Sequence, residues 1–321
     1  MSDESRSPAS GRSSTPGEAG GAREQTLYGR KACWAVFTHR PQDILRVFHT
    51  QQRRQELAPL LKWAAAARIP YRELDEDGMR RVADATHHEG VAMAVRPRAY
   101  AAHQGAQPAG GDVWMALDRI DNPYNLGAIL RTCAFFGIGT VLVGGSEPGG
   151  KVNGAAMRAA EGGAESLQLV ACPDLAGILR DMALRGVSVV GLESDSAILL
   201  GDRPVSRPAV LVAGHEQEGL SSAVRAACSW VCSIPGQGSV SSLNVSVSVG
   251  VALSSLLDVS FARAHQPPRR APEAAARGRP RPDARSSSPA ARPSRPNAPR
   301  ESGKPARRRP ERGRPRPKPR G

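Results

Sequence analysis

Short runs that are apolar on both faces recur between residues 113 and 214: VWMAL (113–117), TVLVG (140–144), VSVVGL (187–192) and AVLVAG (209–214). Runs without polar alternation predict strands buried on both sides, as in a parallel sheet covered by helices. Segments with helical spacing lie between them. One spans about 126–136 and is stopped by Gly137 and Gly139; another spans 175–184, with Asp174 placed to cap it and Gly186 to end it. Upstream, 27–97 predicts a small α/β domain. ILRVF (44–48) and VAMAV (91–95) read as strands, and Leu57, Leu60, Leu61 and Ala64 mark a helix within 52–67. Gly, Ala and Gln between 98 and 112 predict a linker. Near the end of the patterned region, NVSVSVGV (244–251) alternates as a strand should, after an Asn/Ser-rich turn.

Composition changes the picture at both ends. Residues 1–26 are rich in Ser, Gly, Pro and charge and predict disorder. From 263 to 321 the chain is Arg, Pro, Ala and Ser with a net charge of +15, whereas 1–262 carries −1. The basicity is therefore a tail too poor in apolar side chains to fold, read equally as an attractor of a polyanion such as RNA and as a solvated extension with no dedicated partner. Truncation after Ala264 should flatten the salt dependence of RNA affinity, which for single strands follows a log–log slope of about −0.7 per phosphate contact. Binding measured over a salt series checks this, with the modified nucleotide expected to stay unchanged. The five cysteines show no C-x-x-C pair and no His at ligand spacing, so the expectation is reduced, mostly buried thiols without a metal. The start, MSDESRSPASGRSSTPGEAG, has no apolar core for a secretory signal, and no apolar run is long enough to cross a bilayer, so the expected location is the cytoplasm.

The chemistry has to be sought outside the usual nucleotide signature. VGGSEPGG (143–150) follows a strand but lacks G-x-G-x-x-G spacing, and reads as an ordinary loop. Three other segments stand out. LDRIDNPYNLGAILRTCAFFG (117–137) puts Asn122 and Asn125 at the carboxyl end of a strand, where sites form in parallel sheets, and Arg131 on the helix that follows. Taken alone, Asn125 is as well read as a helix cap and Arg131 as a solvated side chain. LVAGHEQEGLS (211–221) ends a strand at Gly214, with Glu216, Glu218 and Gly219 beyond; a Gly there lets backbone come close to a ligand, or simply turns the chain. SIPGQGSVSSLNVSVSVGVAL (233–253) offers a polar loop with Ser241, Ser242 and Asn244.

Together these segments resemble the SpoU/TrmH branch of the SPOUT methyltransferases, whose pattern is N-x-G-x-x-x-R, then G-x-E-x-x-G, then I-P-x-x-G-x-x-x-S-L-N-V-S. All three occur in order, and the resemblance covers about 113–262. The region 27–97 is similar to the family's N-terminal substrate-binding domain, with His88-Glu89-Gly90-Val91 standing where H-Q-G-V is common. Gly236 stands where many relatives have Met, and Ser248 where Ala is common. The resemblance implies an α/β SPOUT catalytic domain with a trefoil knot, a homodimer, and a helix from Leu243 onward in place of the alternating strand. It implies S-adenosylmethionine as cofactor, held by backbone around Gly214, Ile234 and Leu243. Asn125, Arg131, Glu216, Ser242 and Asn244 would line the reaction centre.

The reaction so implied is attack of an RNA ribose 2′-hydroxyl, in transfer or ribosomal RNA, on the sulfonium methyl. A guanidinium is a poor base because its pKa exceeds about 12. Arg131 is better suited to bind the adjoining phosphate and stabilise developing alkoxide, with Ser242 and Asn244 orienting hydroxyl and cofactor. One rival reading is a ribosome-assembly or RNA-binding factor that keeps the fold with reduced turnover, and the intact polar set speaks against it. The other is a nucleic-acid-condensing protein that works through its basic tail, which the near-neutral body leaves open.

Overall fold

The computed structural model describes residues 24–145 and 152–257. Most of the expected N-terminal disorder, part of the 143–150 loop and the whole basic tail lie outside the described residues. The expected disorder does not reach residue 26, because strand β1 (Gln25–Tyr28) already begins at Gln25.

The N-terminal domain continues with α1 (Arg30–His39), β2 (Ile44–His49), α2 (Ala58–Ala66), β3 (Tyr71–Glu73), α3 (Glu76–Ala83) and β4 (Val91–Val95). Its sheet has the order β1-β4-β2-β3; β4 runs antiparallel to both β1 and β2, and β3 runs parallel to β2. The helix expected over 52–67 is shorter, because a 3-10 turn at Gln51–Arg53 precedes α2. Asp75 caps α3 by accepting from the Gly78 amide, with Glu76 and Asp77 in the first turn and Arg80 and Arg81 in the last, a charge order that suits the helix dipole.

The second domain comprises β5 (Ala101–Ala102), β6 (Val113–Asp118), α4 (Pro123–Phe136), β7 (Thr140–Gly144), α5 (Gly154–Ala159), β8 (Gln168–Cys172), α6 (Leu175–Leu184), β9 (Ser188–Leu192), β10 (Ala209–Gly214), α7 (Ser222–Ala227), β11 (Trp230–Cys232) and α8 (Val245–Leu256). Every pairing in its sheet is parallel, in the order β11-β9-β10-β6-β7-β8-β5. Both faces are buried, as the unbroken apolar runs predict. Met115, Leu117, Val141, Val143, Leu211 and Ala213 face one core, and Ala116, Leu142, Val170, Val210 and Val212 face the other. From β6 the chain builds towards β7 and β8 on one side, then returns to fill β10, β9 and β11 on the other. The carboxyl ends of β6 and β10 therefore form the point where strand order switches, the usual place for a ligand in an open parallel sheet.

The segment from 98 to 112 is more ordered than a linker. Ala101 and Ala102 pair with β8, and the Arg98 guanidinium donates to the Ala164 and Leu167 carbonyls. The alternating stretch 244–251 is helical, not extended. Asn244 caps α8, and Val249, Ala252 and Leu253 pack inward at i, i+3, i+4 spacing. Contact with α4 selects this helical stripe over the local period of two. The cysteines are free, and burial raises all of their thiols, to about 12 at Cys133 and Cys228 and about 11 at Cys172 and Cys232. At neutral pH they are protonated and fill the core.

Candidate active site

β6 delivers the chain to its first polar residues at the sheet edge. Asp118 is buried, and its carboxylate accepts from the Ser221 amide at 2.6 Å, which fixes the start of α7 beneath the β10 loop. Arg119, in the left-handed region at φ 59°, reaches across to the Glu218 carboxylate and the Gly219 carbonyl. These two residues bind the first and second motif segments together. Neither was singled out in the sequence, although charge directly after an unbroken apolar strand was the available signal.

Pro123 opens α4 at its first position, and Asn122 caps it by accepting from the Tyr124 and Asn125 amides. Asn122 takes the capping role that Asn125 was a candidate for, so the Asn125 side chain is free to work. Its Nδ2 donates to Glu216 Oε1 at 2.9 Å, and its Oδ1 accepts from Asn244 Nδ2 at 3.0 Å. Asn244 Oδ1 in turn accepts from the Ser246 amide at 2.9 Å and from the Ser246 hydroxyl at 2.6 Å. A continuous hydrogen-bonded line thus joins one residue from each motif segment. Asn125 and Asn244 are 119 positions apart, and Asn125 and Glu216 are 91.

The loop after β10 is tight. His215 and Gly219 exchange backbone hydrogen bonds at 3.0 and 2.9 Å. His215 Nδ1 accepts from the Gln217 and Glu218 amides at 3.2 and 3.3 Å, which leaves Nε2 facing the Asp121 and Glu216 carboxylates, each 3.9 Å away. Gly214 has an internal reason to be Gly. A Cβ there would lie 2.3 Å from the carbonyl carbon and oxygen of Gly219. The close approach it permits is first to its own loop, which carries Glu216 to Asn125.

Ile234 is half-buried behind β11, held from the neighbouring position, where Ser233 exchanges backbone hydrogen bonds with Ile198 and Leu200. From Pro235 to Asn244 the chain is exposed. Among the described residues no hydrogen bond engages the backbone of 235–243, so its amides and carbonyls at the sheet edge are available to a ligand. Side-chain-free Gly236 and Gly238 open this loop, since a Cβ at either would meet nothing within 4 Å. A flat, polar group such as adenosine suits such a loop, whose unengaged backbone fits the needs of a bound S-adenosylmethionine.

Two of the expected site residues are not drawn into the cluster. Ser242 is exposed and makes no hydrogen bond among the described residues. Arg131 lies six residues beyond Asn125, about 9 Å along the helix and on another face. Its guanidinium pairs with Glu161 at 3.1 Å and stays 56% exposed. No group of three or more metal-binding side chains occurs among the described residues.

The sequence profile of the SpoU rRNA Methylase family matches residues 112–254, and that of the RNA 2′-O ribose methyltransferase substrate-binding family matches 26–101. A protein of Escherichia coli O157:H7 named as an uncharacterised tRNA/rRNA methyltransferase, YfiF, is 36% identical over 72% of this chain and 67% of its own length. The 23S rRNA (guanosine-2′-O-)-methyltransferase RlmB of Pseudomonas aeruginosa is 32% identical over 73% of this chain and 96% of its own. The match spans about two thirds of YfiF and of a similar protein from Mycolicibacterium paratuberculosis, but nearly all of RlmB. The fold is shared with a crystal structure described as an RNA 2′-O ribose methyltransferase, at a TM-score of 0.62 and 22% identity over 75% of this chain and 90% of that one. It is shared also with the SpoU methyltransferase AviRb of Streptomyces viridochromogenes in complex with AdoMet, at 0.60 and 21% over 74% and 91%.

The matched families define the class as RNA methyltransferases. This chain belongs to the SpoU rRNA methylase family, with the family's RNA substrate-binding domain at its N-terminal side.

Proposed function

We propose that this chain methylates a ribose 2′-hydroxyl in ribosomal or transfer RNA, with the reaction centred on Asn125, Glu216 and Asn244. The observation that carries this reading is the hydrogen-bonded line from Glu216 through Asn125 to Asn244 at the switch point of a parallel sheet. The match to RlmB over nearly its whole length favours ribosomal RNA.

S-adenosylmethionine, when bound, supplies an already activated methyl group, so the protein's work is alignment and charge management. Backbone around Gly214, Ile234 and Leu243 would hold it. Glu216 fixes the Asn125 amide in one orientation, and Asn244 fixes its other end, so Asn125 presents a preorganised polar edge at low reorganisation cost. Ser242, exposed on the loop beside Asn244, would orient the hydroxyl. Arg131 would take the adjoining phosphate and stabilise the alkoxide, with the proton leaving to phosphate or water.

A homodimer and a trefoil-knotted catalytic domain belong to the same reading. Val247 and Val251 are exposed at i, i+4 spacing on α8, with Leu243 exposed just before its cap, an apolar patch that a second copy would cover. The knot would form where the chain runs from β11 through the 235–243 loop into α8. The described residues contain no helix long and apolar enough to cross a membrane, and an RNA substrate supports a cytoplasmic location.

Calorimetry with the full chain checks the cofactor assignment. The expected result is binding of S-adenosylmethionine or its demethylated product in the micromolar range, worth about −8 kcal/mol. No heat and no competition at millimolar cofactor would overturn it. Site-resolved 2′-O-methyl mapping of total RNA with and without the gene then identifies the nucleotide.

A further inference from the structure

Two clefts among the described residues lie away from the Asn125 cluster. They adjoin, with volumes of about 390 and 330 Å³, and run along the seam between the N-terminal domain and α5, sharing Arg53, Glu89 and Arg158. Four cations line the larger one, Arg30, Lys31, Arg53 and Arg158, against the two lining carboxylates Glu89 and Glu161, and Glu56 beside it pairs with Arg30 at 2.6 Å and with Arg53 at 3.1 Å. The cleft's cations therefore exceed its carboxylates by one, in a body whose residues 1–262 carry a net charge of −1.

The two carboxylates differ in what they do. Glu89, which replaces the common Gln before Gly90, staples the domains. It accepts from the Arg30 amide at 2.8 Å and pairs with Arg158 at 2.7 Å. Glu161 follows α5 at φ 48° and joins three elements from both domains, pairing with Lys31 of α1 at 2.5 Å and with Arg131 of α4 at 3.1 Å. A third carboxylate at the same seam sets the contrast. Glu165 is held by Arg40 at 3.0 Å and Arg98 at 3.2 Å, and its side chain is 2% exposed, which marks a fixed strut. The Glu161 side chain is 26% exposed at the cleft wall, where another anion can reach its cations. Its carboxyl is held below the ordinary carboxylate range by the Lys31 hydrogen bond first, then by the charges of Arg131, Lys31 and Arg158.

We propose that this seam cleft is a phosphate subsite for the RNA backbone. Glu161 stands in it in place of a phosphate, engaging Arg131 and Lys31 until RNA displaces it. A phosphodiester carries the same single negative charge as the carboxylate, so the exchange leaves the surrounding cations compensated. Guanidinium groups also bind phosphate oxygens in paired geometry. Release of Glu161 frees Arg131 for the reacting nucleotide and loosens a contact between the domains in the same step. This rests on the reading of Arg131 as an RNA phosphate contact.

The test measures binding of a fluorescein-labelled single-stranded RNA of mixed sequence to the full chain over a salt series, so that the basic tail contributes equally to every variant. Glu161→Gln should tighten binding about threefold to fivefold, the scale of one exposed ion pair removed from competition. Glu161→Asn should do the same, and Asn tolerates the left-handed backbone at this position. Lys31→Ala and Arg158→Ala should weaken binding and each reduce the salt slope by about 0.7. Unchanged or weaker affinity in both Glu161 variants, with melting temperature retained, overturns the subsite. If instead both Glu161 variants tighten binding but Arg131→Ala has no effect in the Glu161→Gln background, the subsite stands and the assignment of Arg131 to RNA fails.

Discussion

An Arg131→Ala variant is expected to transfer methyl groups about a hundredfold more slowly, the usual cost of losing one electrostatic contact to a transition state. Its affinity for S-adenosylmethionine should be unchanged. Arg131 sits on a face of α4 away from the Asn125 line, and nothing that holds Gly214 or Ile234 depends on it. Arg131→Lys should recover only part of the rate, because an ammonium supplies charge without the paired geometry of a guanidinium. Single-turnover methylation of RNA from cells lacking the gene, with calorimetry of the cofactor alongside, separates the two effects. Full turnover in Arg131→Ala would show that the phosphate and alkoxide contacts come from elsewhere. A loss of cofactor affinity equal to the loss of rate would place the residue on the donor instead.

Why the seam around Arg131 escaped sequence reading is a matter of distance along the chain. Lys31 and Glu161 are 130 positions apart, and each taken alone is a solvated charge on or beside a helix. No period or spacing rule joins them. The parallel sheet was legible for the opposite reason. Strands such as 140–144 and 209–214 are buried at every position and, Thr140 aside, carry no polar side chain, so burial on both faces is the arrangement that satisfies them. α1 was missed because its buried face is made of Ala32, Cys33 and Val36, side chains too small to mark an apolar stripe clearly. α3 carried its signal in caps and charges, with Asp75 before Glu76 and Asp77 and two arginines at the end, while its apolar pattern was thin.

The segment after Asn244 shows the limit of local pattern. Valines at 245, 247, 249 and 251 alternate, and alternation is the mark of a strand half-buried on one face. In the helix only Val249 of these four is fully buried, while Val247 and Val251 face outward. Apolar residues on two sides of a helix look like alternation when one side serves the core and the other awaits a partner. The motif resemblance, which carries information about the whole family's fold, named this helix where periodicity could not. The same resemblance named Asn125, Arg131, Glu216, Ser242 and Asn244 as one site, and of these hydrogen bonds join Asn125, Glu216 and Asn244. Their residue types made them candidates, but only the folded sheet edge brings them within hydrogen-bonding distance.

Gly214→Ala is expected to weaken S-adenosylmethionine binding by roughly 10-fold to 100-fold and to remove most methyl transfer. The added Cβ would meet backbone on every near side, at 2.3 Å from the Gly219 carbonyl and 2.5 Å from the Leu220 amide. Backbone cannot rotate out of the way as a side chain can, so either β10 shifts within the sheet or the 215–219 loop is displaced. Overpacking of this kind costs about 1–3 kcal/mol, and each 1.4 kcal/mol is about tenfold in an equilibrium constant. β10 is hydrogen-bonded to β6 and β9 on both sides, so the loop gives way first. Its displacement draws Glu216 from Asn125 and disturbs the backbone expected to hold the cofactor, although no side chain that touches a ligand has been changed. Gly139→Ala is the matched control, because a Cβ there meets nothing within 4 Å and the site lies elsewhere. Calorimetry and thermal unfolding of both variants decide the matter. Cofactor affinity within threefold of the parent in Gly214→Ala would mean that the loop can fold without this close approach, and that Gly214 does not shape the cofactor site.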